Sequence, residues 1–97
     1  MVFSEMGRTP FLNSTGGKDH WMYSSAMLWG PGIAPGVTLG GFDDYLNGRP
    51  LDMTTGLPDD DGTPLTPDVL GSSLMTLADI DPASELGEDT SLSALLA

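Results

Sequence analysis

Glycine or proline stands at 21 of the 97 positions, and that punctuation limits the chain more than any other feature. Glycine weakens helices and strands by its backbone freedom, and proline removes a donor and fixes φ, so few long stretches can hold a helix. No cysteine is present, so no disulfide supplements a core that a chain of this length can only just build. A length of 97 residues fits one small domain or part of a larger one.

Between the breaks a coarse order emerges. "MVFS" at 1–4 is an apolar, β-favouring run that reads as a buried strand. The segment 5–20, "EMGRTPFLNSTGGKDH", reads as a long loop, and loops of that length in compact domains are usually functional or disordered. "WMYSSAMLWG" at 21–30 supplies a second strand or a short helix running into one, with Trp21, Tyr23 and Trp29 expected to fill a core. After the break "GPGIAPG", "VTLGG" can form a further short strand. Positions 41–66 form an acidic, Gly- and Pro-rich loop too polar to pack on its own. Thr66, Pro67 and Asp68 are the cap, first-turn proline and first-turn acid of a helix over about 66–79. Val69, Leu70, Ser73, Leu74, Leu77 and Ile80 fall largely on one face of it, and "DIDP" ends the run. The tail 81–97 is expected to hold a last short element or to fray. No internal repeat is present.

The formal charge of −11 is uneven. Arg8, Lys18 and Arg49 are the only basic residues, and from Leu51 to Ala97 acidic residues stand unopposed. Such a surface repels phosphate backbones, which argues against nucleic acid as a partner and for a role of the charge in solubility. No apolar run approaches the roughly 20 residues of a bilayer span, and no positively charged start precedes an apolar stretch, so neither a membrane span nor an export signal is read from these residues.

Candidate chemistry gathers near the start. His20 is the only histidine, directly after Asp19; with Glu5 they make a ligand set suited to Zn²⁺ or Mn²⁺, against the plainer reading of a solvated imidazole in a polar loop. Arg8 can hold an oxyanion through its planar fork, or pair with a surface carboxylate. Serine hydrolysis is improbable, since no G-x-S-x-G is present and Ser4 falls within the first strand. "GGK" fails as a phosphate loop, because Leu12 and Asp19 stand where Gly and Ser or Thr are needed. "LPDDDGTPLTPD" places Asp59, Asp61, Gly62 and Asp68 at calcium-loop positions, but Leu57 holds the first, and an acidic turn is the better reading. Asn13 heads an N-x-S/T sequon, "NST".

"VFSEMGRTPFLNSTGGKDHW", "GPGIAPGVTLGGFDD" and "LTPDVLGSSLMTLADIDP", in that order, resemble the carboxy-terminal part of a bacterial family, domain of unknown function 1501, related to sulfatases and alkaline phosphatases. "SEMGRTP" and "GGKDHW" are the specific part of that likeness. The resemblance implies an α/β fold, the carboxy-terminal fragment of an alkaline-phosphatase-like mixed-sheet sandwich with two or three short strands, one clear helix and long loops. It implies one incomplete domain over 1–97, whose missing amino-terminal part holds the nucleophile and the other ligands of a zinc, manganese or calcium ion. Glu5, His20 and, more weakly, Asp19 map onto metal ligands, and Arg8 onto substrate binding. The family is often exported, which implies a periplasmic or extracellular location. Many hydrolases of the superfamily carry Asp followed by His or Asn where Glu5-Met6 stands here, so one ligand is missing. The resemblance therefore implies a metal-dependent ester hydrolase fragment without activity of its own, the alternative being a non-catalytic secreted binding or surface protein with an incomplete metal site.

Overall fold

The first 30 residues fold around the turn at 13–17. A computed structural model describes residues 1–97. Asn13 organises the turn: its side-chain oxygen accepts from the Thr15 N–H (3.0 Å), the Thr15 hydroxyl (2.9 Å) and the Gly17 N–H (2.9 Å). Gly16 takes φ +79, where a side chain would be strained. Two arms run back from this turn as a hairpin. Strands β1 (Val2–Phe3) and β2 (Gly7–Arg8) lie on the outgoing arm, β3 (His20–Trp21) and β4 (Ala26–Met27) on the return. β1 pairs β4 and β2 pairs β3, both antiparallel, as two small two-stranded sheets. Between them three residues (4–6) face four (22–25), so the return arm carries an extra residue and the register shifts by one, as at a bulge.

Helix α1 (Pro67–Leu77) starts as its sequence dictates, with the Thr66 hydroxyl accepting from the Val69 N–H. It ends earlier than the expected 79: the chain leaves through Asp79 at φ 57 and re-enters a short helix α2 (Pro82–Leu86) capped by Asp81. A 3₁₀ turn (Ser93–Leu95) follows. No helix is long and apolar enough to cross a membrane.

The core lies in the second half, where Leu51, Val69, Leu92 and Leu95 are buried together. Leu51 is fully enclosed. It sits inside the segment 41–66, read from sequence as too polar to pack on its own, and is gripped by Thr63, with N–H to carbonyl bonds both ways at 3.0 and 2.8 Å. Gly62 permits this, because a Cβ there would collide with the Leu51 carbonyl. The inward face of α1 keeps Val69 and Ser73 of the expected stripe buried but adds Ser72, while Ile80, beyond the end of the helix, is exposed. The two serines face inward because the tail needs partners there. Ser72 accepts from the Thr90 N–H (3.0 Å), and Ser73 accepts from the Leu92 N–H (2.8 Å) while donating to the Val69 carbonyl (2.7 Å). The tail, far from fraying, closes the core.

Three further expectations at the first half are corrected. "VTLGG" forms no strand, since Gly40 turns at φ 74 and bonds to Gly56 instead. The 5–20 loop contains strand β2. The first strand is short and its Val2 and Phe3 are exposed, as is Trp29, so these side chains are not in a core within this chain.

Candidate functional site

The register of β2 and β3 sets the candidate residues. Gly7 pairs with Trp21 and Arg8 with His20. Gly7 has no room for a side chain, since a Cβ would strike the Tyr23 carbonyl oxygen; that contact lets the arms close at this point. Side chains alternate across a strand, so Gly7, Thr9 and Trp21 face inward and Arg8 and His20 outward, in keeping with the burial of Thr9 and the exposure of Arg8 and His20. Directly opposed residues stand with Cβ atoms about 5 Å apart, so the guanidinium and the imidazole rise from neighbouring positions on one face.

The inward face is anchored by aromatic contacts. Phe11 meets Trp21 edge-on at 6.0 Å, Trp21 meets Tyr23 the same way at 6.0 Å, and the Trp21 indole N–H donates to the Leu46 carbonyl at 2.8 Å. Trp21 and Tyr23 thus hold the hairpin against the 42–48 loop, half-buried rather than in the main core. An open hollow lined by His20, Trp21, Met22, Tyr23 and Asn47 lies beside them.

The remaining candidates, Asp19 and Glu5, are not part of the Arg8 and His20 pairing. The Thr9 N–H donates to the Asp19 carbonyl (3.1 Å), continuing the ladder, and the Asp19 carboxylate accepts from the Asn13 amide at 3.0 Å, toward the turn. Asp19 and His20, adjacent in sequence, therefore serve different neighbours. Glu5 occupies the bend between β1 and β2, three positions before Arg8. No three His, Cys, Asp or Glu side chains form a group that could hold a metal ion.

Arg8 is held lightly. Its guanidinium donates to the Lys18 carbonyl at 3.4 Å and pairs with no carboxylate, the one ion pair of the chain being Arg49 with Asp60 at 3.1 Å. In a chain with 14 acids and 3 bases, a cation left without an acid partner remains free to bind an anion. The calcium-like stretch forms an acidic turn in which the Asp59 carboxylate accepts from the Asp61 N–H (2.9 Å) and Asp68 lies in the first turn of α1. Asn13 is the residue that sequence reading undervalued. It reads there as a sequon, but its side chain builds the turn and braces Asp19; an Asn followed by Ser, Thr and two glycines is the local signal of such a turn.

Comparison with known proteins gives one match. A family model described as protein of unknown function, DUF1501, matches residues 1–56, a span that takes in both strand pairs and the whole candidate site. No curated protein and no solved structure matches the chain.

Proposed function

The chain belongs to the DUF1501 family, and from that membership we propose that it is the carboxy-terminal portion of an exported sulfatase-like or phosphatase-like, metal-dependent ester hydrolase, inactive by itself. The observation that carries the reading is the cross-strand pairing of Arg8 with His20. It sets a group able to hold an anionic ester next to a nitrogen able to ligate zinc, manganese or calcium. Bound there, such an ion would polarise the ester as a Lewis acid. Arg8 would orient the sulfate or phosphate group through its fork, and His20, with Glu5 and Asp19 as further candidates, would supply part of the ligand set. The missing amino-terminal part of the same domain would supply the rest and the nucleophile. A periplasmic or extracellular location accompanies this reading.

The Glu5-Met6 pair, where related hydrolases carry Asp followed by His or Asn, favours a second reading, a non-catalytic exported binding or surface protein. The purified 97-residue chain, assayed on sulfate and phosphate monoesters with each metal, is expected to show no turnover; metal-dependent hydrolysis by it would overturn the proposal. In the complete protein, His20→Ala is expected to weaken metal binding by at least about tenfold by calorimetry. Unchanged affinity removes His20 from the site, and metal binding without turnover of any ester selects the second reading.

A further inference from the structure

The hairpin that carries Arg8 and His20 has few attachments to the rest of the molecule. Leu28 roots it by packing against the core, and β2 and β3 lie beyond the bulged stretch, on the side of the turn. A two-stranded ribbon is marginally stable by itself. Between residues 1–27 and residues 28–97 there is a single hydrogen bond, from the Trp21 indole N–H to the Leu46 carbonyl at 2.8 Å, and no ion pair. Beside that bond the Tyr23 ring lies on Gly48, where a Cβ would come within 2.7 Å of a ring carbon. Past its root, the hairpin is therefore held at the 42–48 loop.

That loop is shaped by its own residues. The Asp43 carboxylate accepts from the Tyr45 N–H (2.8 Å), the Asn47 N–H (2.9 Å) and the Asn47 side-chain amide (3.0 Å). The Asp43 N–H donates to the Asn47 carbonyl (2.9 Å), and the Asp43 carbonyl accepts from the Leu46 N–H (3.0 Å). This closed set holds Leu46 at φ 59, in the left-handed region where residues other than glycine are uncommon. A residue kept there is over-determined by its surroundings, and such positions gather at functional sites. Here the turn leaves the Leu46 carbonyl without a partner inside the loop, and the partner it takes is the indole of the residue next to His20.

We propose that Asp43 and Leu46 are positioning residues for the Arg8 and His20 pair: the 42–48 loop is a preformed latch that grips Trp21 and so fixes the orientation of the hairpin, and with it the guanidinium and the imidazole. Both residues act through Trp21, and the outward face of the pair stays open. The family match over 1–56 takes in both sides of the latch. The consequence for metal binding rests on the proposed site; the latch itself rests only on the contacts that build it.

Backbone order is read by nitrogen-15 relaxation of the 97-residue chain in the parent and two variants. Trp21→Phe keeps a ring and loses the N–H, whereas Asp43→Ala leaves both latch partners in place and removes the carboxylate that shapes the loop. In the parent, order parameters near about 0.85 are expected at 7–9 and 19–21 as well as in α1. In both variants those of the hairpin are expected to fall below about 0.6, while those of α1 and the urea midpoint hold, because the core lies outside the hairpin. A hairpin already mobile in the parent overturns the latch, as does one that stays rigid in Trp21→Phe; rigidity in Asp43→Ala alone overturns the role of Asp43. In the complete protein, metal affinity by calorimetry follows the fraction of time the hairpin spends in place, so each variant is expected to weaken it about threefold to tenfold. Neither is expected to add to His20→Ala, and full additivity overturns the positioning role. If His20→Ala itself leaves the affinity unchanged, the site reading fails and the relaxation data still decide the latch.

Discussion

Ser73 shows how much of the core depends on one hydroxyl. It is fully buried, donates to the Val69 carbonyl and accepts from the Leu92 N–H. Ser73→Ala leaves the Leu92 amide enclosed without a partner, and an unsatisfied buried donor costs about 1–3 kcal/mol. Urea unfolding followed by far-UV dichroism is expected to show a destabilisation of that size; a change near zero would mean that the tail does not depend on the bond. At this scale sequence was a partial guide. Thr66, Pro67 and Asp68 announce the helix start because capping chemistry is local. Ser72 and Ser73 conceal their role, since a serine is inward only when a distant amide needs it. The same holds for Leu51, whose acidic neighbours suggest solvent until Thr63 and the tail are in place.

Among the elements, three loops are fixed by aspartates. The Asn47 side-chain amide, then the Asn47 and Tyr45 N–H groups and the charge of Arg49, hold the Asp43 carboxyl below its ordinary value. The Thr55 and then the Thr54 N–H do so for Asp52, and the Ser91 hydroxyl and N–H for Asp89. A carboxyl with a depressed folded-state pKa favours the fold while charged. Its contribution is fully present above the unfolded value of about 3.9 and is lost as pH falls through the lower folded value. Stability is therefore expected to be flat in this respect from neutral pH to about 5 and to decline below about 4. Carboxyl titration by NMR checks it, with midpoints for all three at or above the unfolded value as the contrary result. The sequence shows these elements as Asp-rich breaks, which is correct for composition and silent about order. Paired strands are likewise hard to read: β2 is two residues long inside a Gly/Pro-rich stretch, and only its partner makes it a strand.

The whole molecule is a hairpin attached to a small closed core. Its radius of gyration is 14.9 Å, against about 12.5 Å for a compact chain of this length. It holds 38 backbone–backbone hydrogen bonds, where about 65 would be usual. The family likeness carried by 1–56 was legible in "SEMGRTP" and "GGKDHW", and it implied the α/β class that one main helix and four short strands display, here as two small antiparallel pairs. How Glu5, Asp19 and His20 are disposed was not legible, because spacing along a chain does not give the register of a hairpin. At this scale the tail is decisive. Leu92 and Leu95 provide two of the four buried core side chains, and Ala34 and Ala97 tie the tail to the 30–34 segment at 2.8 and 2.9 Å. Removing residues 92–97 is expected to abolish cooperative thermal unfolding; a retained sigmoidal transition would place the core elsewhere.

The tail's position also sets a schedule for the nascent chain. Leu51 waits for Leu92 and Leu95, more than forty positions downstream, so the core cannot close while the ribosome still covers those leucines. Until they emerge, Leu51 and Val69 lack two of the leucines that enclose them, so the core is the last part of the molecule to be completed during synthesis.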